Sequence, residues 1–275
     1  MYDTLVLRDT VTDLITIGND IDHVNTTAKS WGLHMNANKC AVLRFQHGHK
    51  IDWNSLWAFS SYFLDNEPIK FVDSHKDLGV TIDNTLKFHL HIQLIVQRAA
   101  GVMSNILRST LCRSQNFMIP IYKTYIRPLI EFSSCAWSTG YVVDQNILEG
   151  IQRRWTSNID GMRDLSYRER LERLDLYSVK GRLIRADLIK CWHIFHGNCA
   201  IKPEDIFTLA PQVGTRGHSL KLSPTHVSLE CRKRFFSERC VHVWNGLPRD
   251  IVEATSVNLF KNQLHTHCKD ILFDF

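Results

Sequence analysis

The spacing of apolar residues turns from strand-like to helical near residue 87 of this 275-residue chain and stays helical, and that change limits what it can fold into. From Ile92 onward, Ile92, Ile95, Ala99, Val102 and Ile106 step by three and four, one stripe of an amphipathic helix. Upstream, Lys39–Phe45, Ser61–Val72 (broken at Asp65–Pro68) and Leu78–Asp83 read as short strands, with Gln46–Lys50 as a loop. One helix precedes them: Leu14, Ile17, Ile21, Val24, Ala28 and Trp31 form a stripe, Thr12 or Asp13 is placed to cap it, and Gly32 to stop it. The class is therefore α+β, a small β-containing region followed by a mainly helical one.

Downstream the pattern predicts a helix from about Ser114 to Arg127, closed by Pro128, and another through Leu148, Ile151 and Trp155. Ser166-Tyr-Arg-Glu169 has the form of a capping box, in which hydroxyl and carboxylate satisfy opposite backbone donors. Residues 179–196 are apolar nearly all round and predict a buried helix. The Gly/Ser/Thr/Pro-rich stretch 208–228 reads as a linker. Phe235, Phe236, Val243 and Trp244 suggest a further helix, and Ser256 caps a last one through Phe260, Leu264 and His267.

Charge divides at nearly the same place as periodicity. Residues 1–96 carry a net charge of −3 and residues 97–275 a net of +8, a bias that points the later part toward a polyanion. No eighteen-residue apolar run is present, so no membrane partner is expected. The eight Cys include no C-x-x-C pair, and Met1-Tyr2-Asp3-Thr4-Leu5 lacks the shape of a secretory signal. Both fit an intracellular chain, cytoplasmic or nuclear.

Phosphate-loop, H-E-x-x-H, G-x-S-x-G and G-x-G-x-x-G signatures are missing. Among 14 His, the best metal-like spacing is His193, His196 and Cys199, which one helix face would share. A zinc module centred there is one reading; a buried helix with incidental His and Cys is the other.

Gly32-Leu-His-Met-Asn36-Ala-Asn-Lys39-Cys40, leaving a helix and entering a strand, resembles motif D of reverse transcriptases. Val72-Asp-Ser-His-Lys76-Asp-Leu-Gly79-Val resembles the LGV hairpin of the same enzymes. Tyr125–Trp137, Glu149–Arg154, Leu165–Leu171, Thr215-Arg216-Gly217-His218, Phe235–Arg239 and Val243–Pro248 are similar, in order and spacing, to the thumb and downstream region of non-LTR (LINE-type, jockey-like) retrotransposon polymerases. The resemblance covers roughly residues 13–268 and implies a palm remnant with motif D and the hairpin (1–86), a helical thumb-like region (87–207), and a linker with C-terminal helices (208–275).

Such a family is an RNA-directed DNA polymerase, a nucleotidyltransferase using Mg²⁺ held by carboxylates of an Ala-Asp-Asp turn. Aligned on that turn, Asp3 takes the second aspartate's place as catalytic residue and metal ligand, while Tyr2 replaces the first, and a phenol does not ligate Mg²⁺ at neutral pH. The expectation is a C-terminal fragment, with fingers and most of the palm lying before Met1, and no cofactor of its own. Lys39 is the motif D lysine, a proton donor toward departing pyrophosphate. Contacts to an RNA or RNA–DNA primer–template are expected from Lys76, Gly79, Arg153, Arg154, Arg216, Arg232 and Arg234, since Arg pairs with phosphates and stacks on bases. Residues 151–190 hold 10 Lys and Arg against 6 Asp and Glu. The alternative is a non-catalytic helical interaction protein from a decayed element, its arginines paired with acids on solvated helix faces.

Overall fold

Helix α1, Val11–Ser30, ends where Gly32 adopts φ +71°, so that Leu33 N–H reaches the Ala28 carbonyl (3.0 Å) and Gly32 N–H that of Lys29 (2.9 Å). The structure is a computed structural model and describes residues 11–45, 62–211 and 217–268; side chains are described from Ile15 onward. Thr12 and Asp13, expected before the helix, lie within α1, and Trp31, expected on the core stripe, falls past the helix end and is 67% exposed. The chain divides into two compact units, Met1–Leu86 and Lys87–Phe275.

In the first unit, Ile17 and Ile21 of α1 pack on Tyr62, Leu64 and Ile69. Among the described residues the sheets there are three separate pairs. Strands β1 (Ala41–Leu43) and β4 (Lys70–Val72) are parallel, Ala41 facing Lys70 and Leu43 facing Val72. Strands β2 (Phe63–Leu64) and β3 (Glu67–Pro68) form a hairpin whose turn residues Asp65 and Asn66 both have positive φ. Asp65 also accepts from Asn25 (2.8 Å) and pairs with Lys29, tying the turn to α1. Strands β5 (Ser74–Asp77) and β6 (Val80–Asp83) form the third pair, turning at Leu78 and Gly79. The two strands expected within Ser61–Val72 are thus three: the β2–β3 hairpin, and β4, which leaves to pair with β1. Pairing across such a distance is invisible to alternation alone. The loop expected at Gln46–Lys50 lies outside the described residues.

The second unit is mainly helical. Helix α2 (His89–Ser109) buries Ile92, Ala99 and Met103. Helix α3 (Gln115–Ile121) runs into a π turn, Tyr122–Ile126, and then α4, Arg127–Glu131. The single helix expected from Ser114 to Arg127 is broken in this way. Pro128 has no N–H to donate and its ring crowds the preceding turn, so the helix widens and Arg127 N–H bonds the Tyr122 carbonyl five residues back. Helix α5 (Ser134–Trp137) is locked by the Trp137 indole donating to the Phe132 carbonyl (2.7 Å).

Helices α6 (Val142–Thr156) and α7 (Tyr167–Leu174) follow. The capping box of α7 is present as read: Ser166 Oγ accepts from Glu169 N–H (3.3 Å), and Glu169 accepts from Ser166 N–H (2.7 Å). Ser166→Ala is expected to cost about 1 kcal/mol of unfolding free energy in urea titration, the usual loss for a hydroxyl cap.

Helix α8 (Val179–Phe195) is the centre of a core shared with the short helices α9 (Pro203–Ile206), α11 (Phe236–Arg239), α12 (Val241–Asn245) and α13 (Arg249–Val252), and with α14 (Val257–His267); α10 (Glu230–Lys233) buries none of its residues. Trp244 and Phe260 are fully buried there, and Ser256 caps α14 as expected, accepting from Leu259 N–H (3.2 Å). The helix expected around Phe235–Trp244 is two short ones, α11 and α12. Parts of 208–228 are held to this core: His218 bonds the Trp244 carbonyl (3.1 Å), and the Asn245 amide bonds both backbone groups of Leu222 (2.8 Å each). No helix among the described residues is long and apolar enough to cross a membrane.

Candidate nucleic-acid interface

Five exposed arginines of the second unit lie between the end of α6 and α7; Arg98 and Arg108 of α2 and Arg249 of α13 are exposed elsewhere. Arg153 and Arg154 close α6, where cations complement the helix dipole. Arg163 follows in the connecting turn, and Arg168 and Arg173 lie on α7; all five are solvent-exposed. The Arg153 guanidinium sits 5.0 Å over the Tyr167 ring. Arg168 is spanned to Glu172 (3.2 Å), a one-turn pair of the exposed kind worth little.

A buried polar network fixes the helices beneath these arginines. Gln152, fully buried, accepts from the Tyr122 hydroxyl (2.6 Å), and its amide donates to Tyr167 Oη (3.0 Å) and the Tyr177 carbonyl (2.8 Å). The Tyr167 hydroxyl donates in turn to Glu149. Glu149 also accepts from Val179 N–H (3.1 Å) and Lys180 N–H (3.2 Å), so a carboxylate from α6 holds the first amides of α8 while Ser178 holds that of Gly181 (2.9 Å). Burial pushes the Glu149 carboxyl up, against the lowering pull of Tyr167 and the two amides, and burial beside Glu149 pushes the Tyr167 phenol far up. Arg170, though on α7, is buried and donates to the Arg153 carbonyl (3.0 Å), joining α7 to α6.

Two more of the chain's basic residues are spent internally. Arg182 pairs with Glu131 by donating from Nε to one carboxylate oxygen and from Nη2 to the other (2.7 Å). Arg239 pairs with buried Asp187 at 2.8 and 2.9 Å and donates to the Cys135 carbonyl (2.8 Å) and the Arg234 carbonyl (3.1 Å). Burial raises the Asp187 carboxyl despite Arg239, and pushes the neighbouring Cys135 thiol up to about 12.

Of the residues expected to act, Asp3 and Arg216 lie outside the described residues. Lys39 ends a 3-10 turn, Ala37–Lys39, instead of lying in a strand, and is exposed. The Asn36 side chain caps that turn by accepting from Asn38 N–H (2.9 Å). Lys76 and Gly79 share the β5–β6 hairpin: Lys76 is exposed opposite Thr81, and Gly79 (φ +92°) follows Leu78, which is 79% exposed at the tip. Arg232 and Arg234, at the end of α10, are engaged by neighbouring groups. Arg232 reaches Ser237 (2.8 Å) and Glu238 (3.6 Å); Arg234 reaches Glu230 (3.0 Å) and the Thr139 carbonyl (3.2 Å), with its guanidinium 4.0 Å over Tyr141.

Donors for a metal do not converge. His196 stacks on Trp192 (4.1 Å between centroids) and bonds its carbonyl (2.9 Å), while the Cys199 thiol faces the Ile201 carbonyl (3.7 Å). Among the described residues no three His, Cys, Asp or Glu side chains gather as a metal site would need, whether for zinc at His193, His196 and Cys199 or for Mg²⁺. The one residue aligned for Mg²⁺, Asp3, is not among them.

No family profile, curated protein or solved structure matches this chain. The site therefore stands on its own geometry. Sequence reading missed the network under it, although a signal was present: Glu149 and Gln152 fall on the same helical stripe as Leu148, Ile151 and Trp155, and polar residues on a buried stripe need partners.

Proposed function

We propose that this chain is the C-terminal part of a non-LTR retrotransposon reverse transcriptase, with the end of the palm in residues 1–86 and the thumb and downstream helices after Lys87. In this reading it binds an RNA or RNA–DNA primer–template and does not polymerise by itself, because Tyr2 stands where a metal-binding aspartate is needed. The observation that carries the binding reading is the run of exposed Arg153, Arg154, Arg163, Arg168 and Arg173 on α6, α7 and the turn between them, the two helices being braced from below by Gln152, Glu149 and Arg170. Braced helices hold such side chains in register with a phosphate backbone, and Arg gives each contact a bidentate geometry.

Fluorescence anisotropy with a labelled RNA–DNA duplex across a KCl series tests this. Affinity is expected to fall steeply with salt, by about 0.9 log unit per decade for each phosphate neutralised. Arg154→Glu with Arg163→Glu should lower the slope by roughly two contacts' worth, about 1.8. No binding at low salt, or a slope untouched by the double variant, overturns it. Mg²⁺-dependent dNTP incorporation by the pure chain would overturn the non-catalytic half.

The second reading, a non-catalytic helical interaction protein, is favoured by one observation. Arg170, Arg182, Arg234 and Arg239 are all engaged within the fold, which leaves less positive charge for a polyanion than the sequence suggests. The same titration separates the two, since a protein–protein module shows no such duplex binding.

A further inference from the structure

A cleft of about 410 Å³ opens in the second unit between the Ser138–Gly140 link, the first turns of α8, and α10 with the helices after it. Its size falls in the range of sites for small organic ligands. Its chemistry is divided. One wall is apolar, from Leu183, Ile184, Leu188 and Val243. The rest carries four basic side chains, Lys180, Lys233, Arg234 and Arg239, against two acidic ones, Asp187 and Glu230.

The two carboxylates are unevenly shared. Asp187 is held by Arg239 in a closed bidentate pair, with the Cys135 thiol beside it. Glu230 is divided between Lys233 (3.5 Å) and Arg234 (3.0 Å), and Lys180 adds a further cation to the lining. The formal excess is two positive charges, beside the buried hydroxyl-bearing residues Ser138 and Thr139 and the Gln145 amide. A carboxylate brings one negative charge; a phosphate monoester brings about 1.5 to 2 at neutral pH and three acceptor oxygens. An excess of two, with neutral donors alongside, matches the phosphate.

We infer that this cleft binds a phosphate monoester carried on an apolar or planar body, a ligand with the size and chemistry of a mononucleotide. The phosphate lies toward Lys180, Lys233 and Arg234, displacing part of the hold of Glu230 on the last two. The body rests on Leu183, Ile184 and Val243. The site does not depend on the nucleic-acid reading: a chain that ignores primer–template is still expected to bind the nucleotide.

The full chain is titrated by calorimetry with adenosine monophosphate, adenosine and inorganic phosphate. The monophosphate is expected to bind about tenfold or more tightly than either, since charge-assisted hydrogen bonds and apolar contact act together only there. Lys180→Gln with Lys233→Gln should weaken it about tenfold with the thermal melt unchanged, because this removes two charge-assisted contacts at the rim. Glu230→Gln, which removes the competing carboxylate, should strengthen it several-fold, a gain that impaired folding would not produce. Equal binding of monophosphate and nucleoside, equal binding of monophosphate and inorganic phosphate, no binding at millimolar concentration, or affinity unchanged by both variants would each overturn the assignment.

Discussion

Arg239→Ala is expected to lower folding stability by about 3–5 kcal/mol, the cost of leaving a buried charge without its partner. The variant strands Asp187, which is 5% exposed, and also removes the donors that serve the carbonyls of Cys135 and Arg234. Its pH dependence has a definite sign. Burial already holds the Asp187 carboxyl above its ordinary value, and losing Arg239 raises it further. A carboxyl raised by folding favours the native state at low pH, and that contribution is lost as pH rises through the raised value. The penalty is therefore largest at neutral pH and shrinks on acidification, as Asp187 takes up a proton. Urea unfolding of wild type and variant at pH 7 and pH 5 measures both effects. A loss under about 1 kcal/mol, typical of an exposed pair, would contradict the closed geometry seen here.

Glu149→Ala is the other large loss, roughly 3–5 kcal/mol. Three donors lose their acceptor at once, the Tyr167 hydroxyl and the amides of Val179 and Lys180, and each buried donor left unsatisfied costs about 1–3 kcal/mol before relaxation and water entry offset part of it. Glu149→Gln keeps the volume but offers one carbonyl to three donors, so it should fall between wild type and alanine. The carboxyl is raised by burial, so wild-type stability from this group declines as pH rises through its raised value, and Glu149→Gln should flatten that part of the curve. Thermal and urea midpoints across pH 5–8 decide it. An alanine variant as stable as wild type would mean that the start of α8 is held by Ser178 alone.

Local chemistry was the legible part of this fold. Gly32 ending α1, the Ser166–Glu169 box and Ser256 capping α14 were readable because each involves residues within a few positions of one another. The α+β class was readable from the change in period near residue 87. Distant pairing was not: β1 meets β4 across a crossover, and nothing in the alternation of either strand names its partner. The same holds for charge. Counting arginines between residues 151 and 190 gives a basic stretch, but Arg170 serves the Arg153 carbonyl and Arg182 serves Glu131, 51 positions away. Periodicity placed these side chains on helices; only the packing tells which face water. For Lys39 and Lys76 the structure adds exposure and local turn geometry, and for Asp3 and Arg216 the sequence remains the whole of what is described.

The π turn at Tyr122–Ile126 has a consequence for chain length. A π turn is one residue more than the helix needs, and each residue of an α-helix carries the chain about 100° around the axis. With one residue fewer, the segment would wind straight on as α-helix, and Arg127–Glu131 would swing by that angle. Glu131 would leave Arg182, and Tyr122 would no longer meet Gln152 while Ile126 and Ile130 faced the core. The number of residues between Pro120 and Pro128 is thus as constrained as their identities. Related chains should tolerate substitution at exposed Lys123, Thr124 and Tyr125 far better than a deletion there.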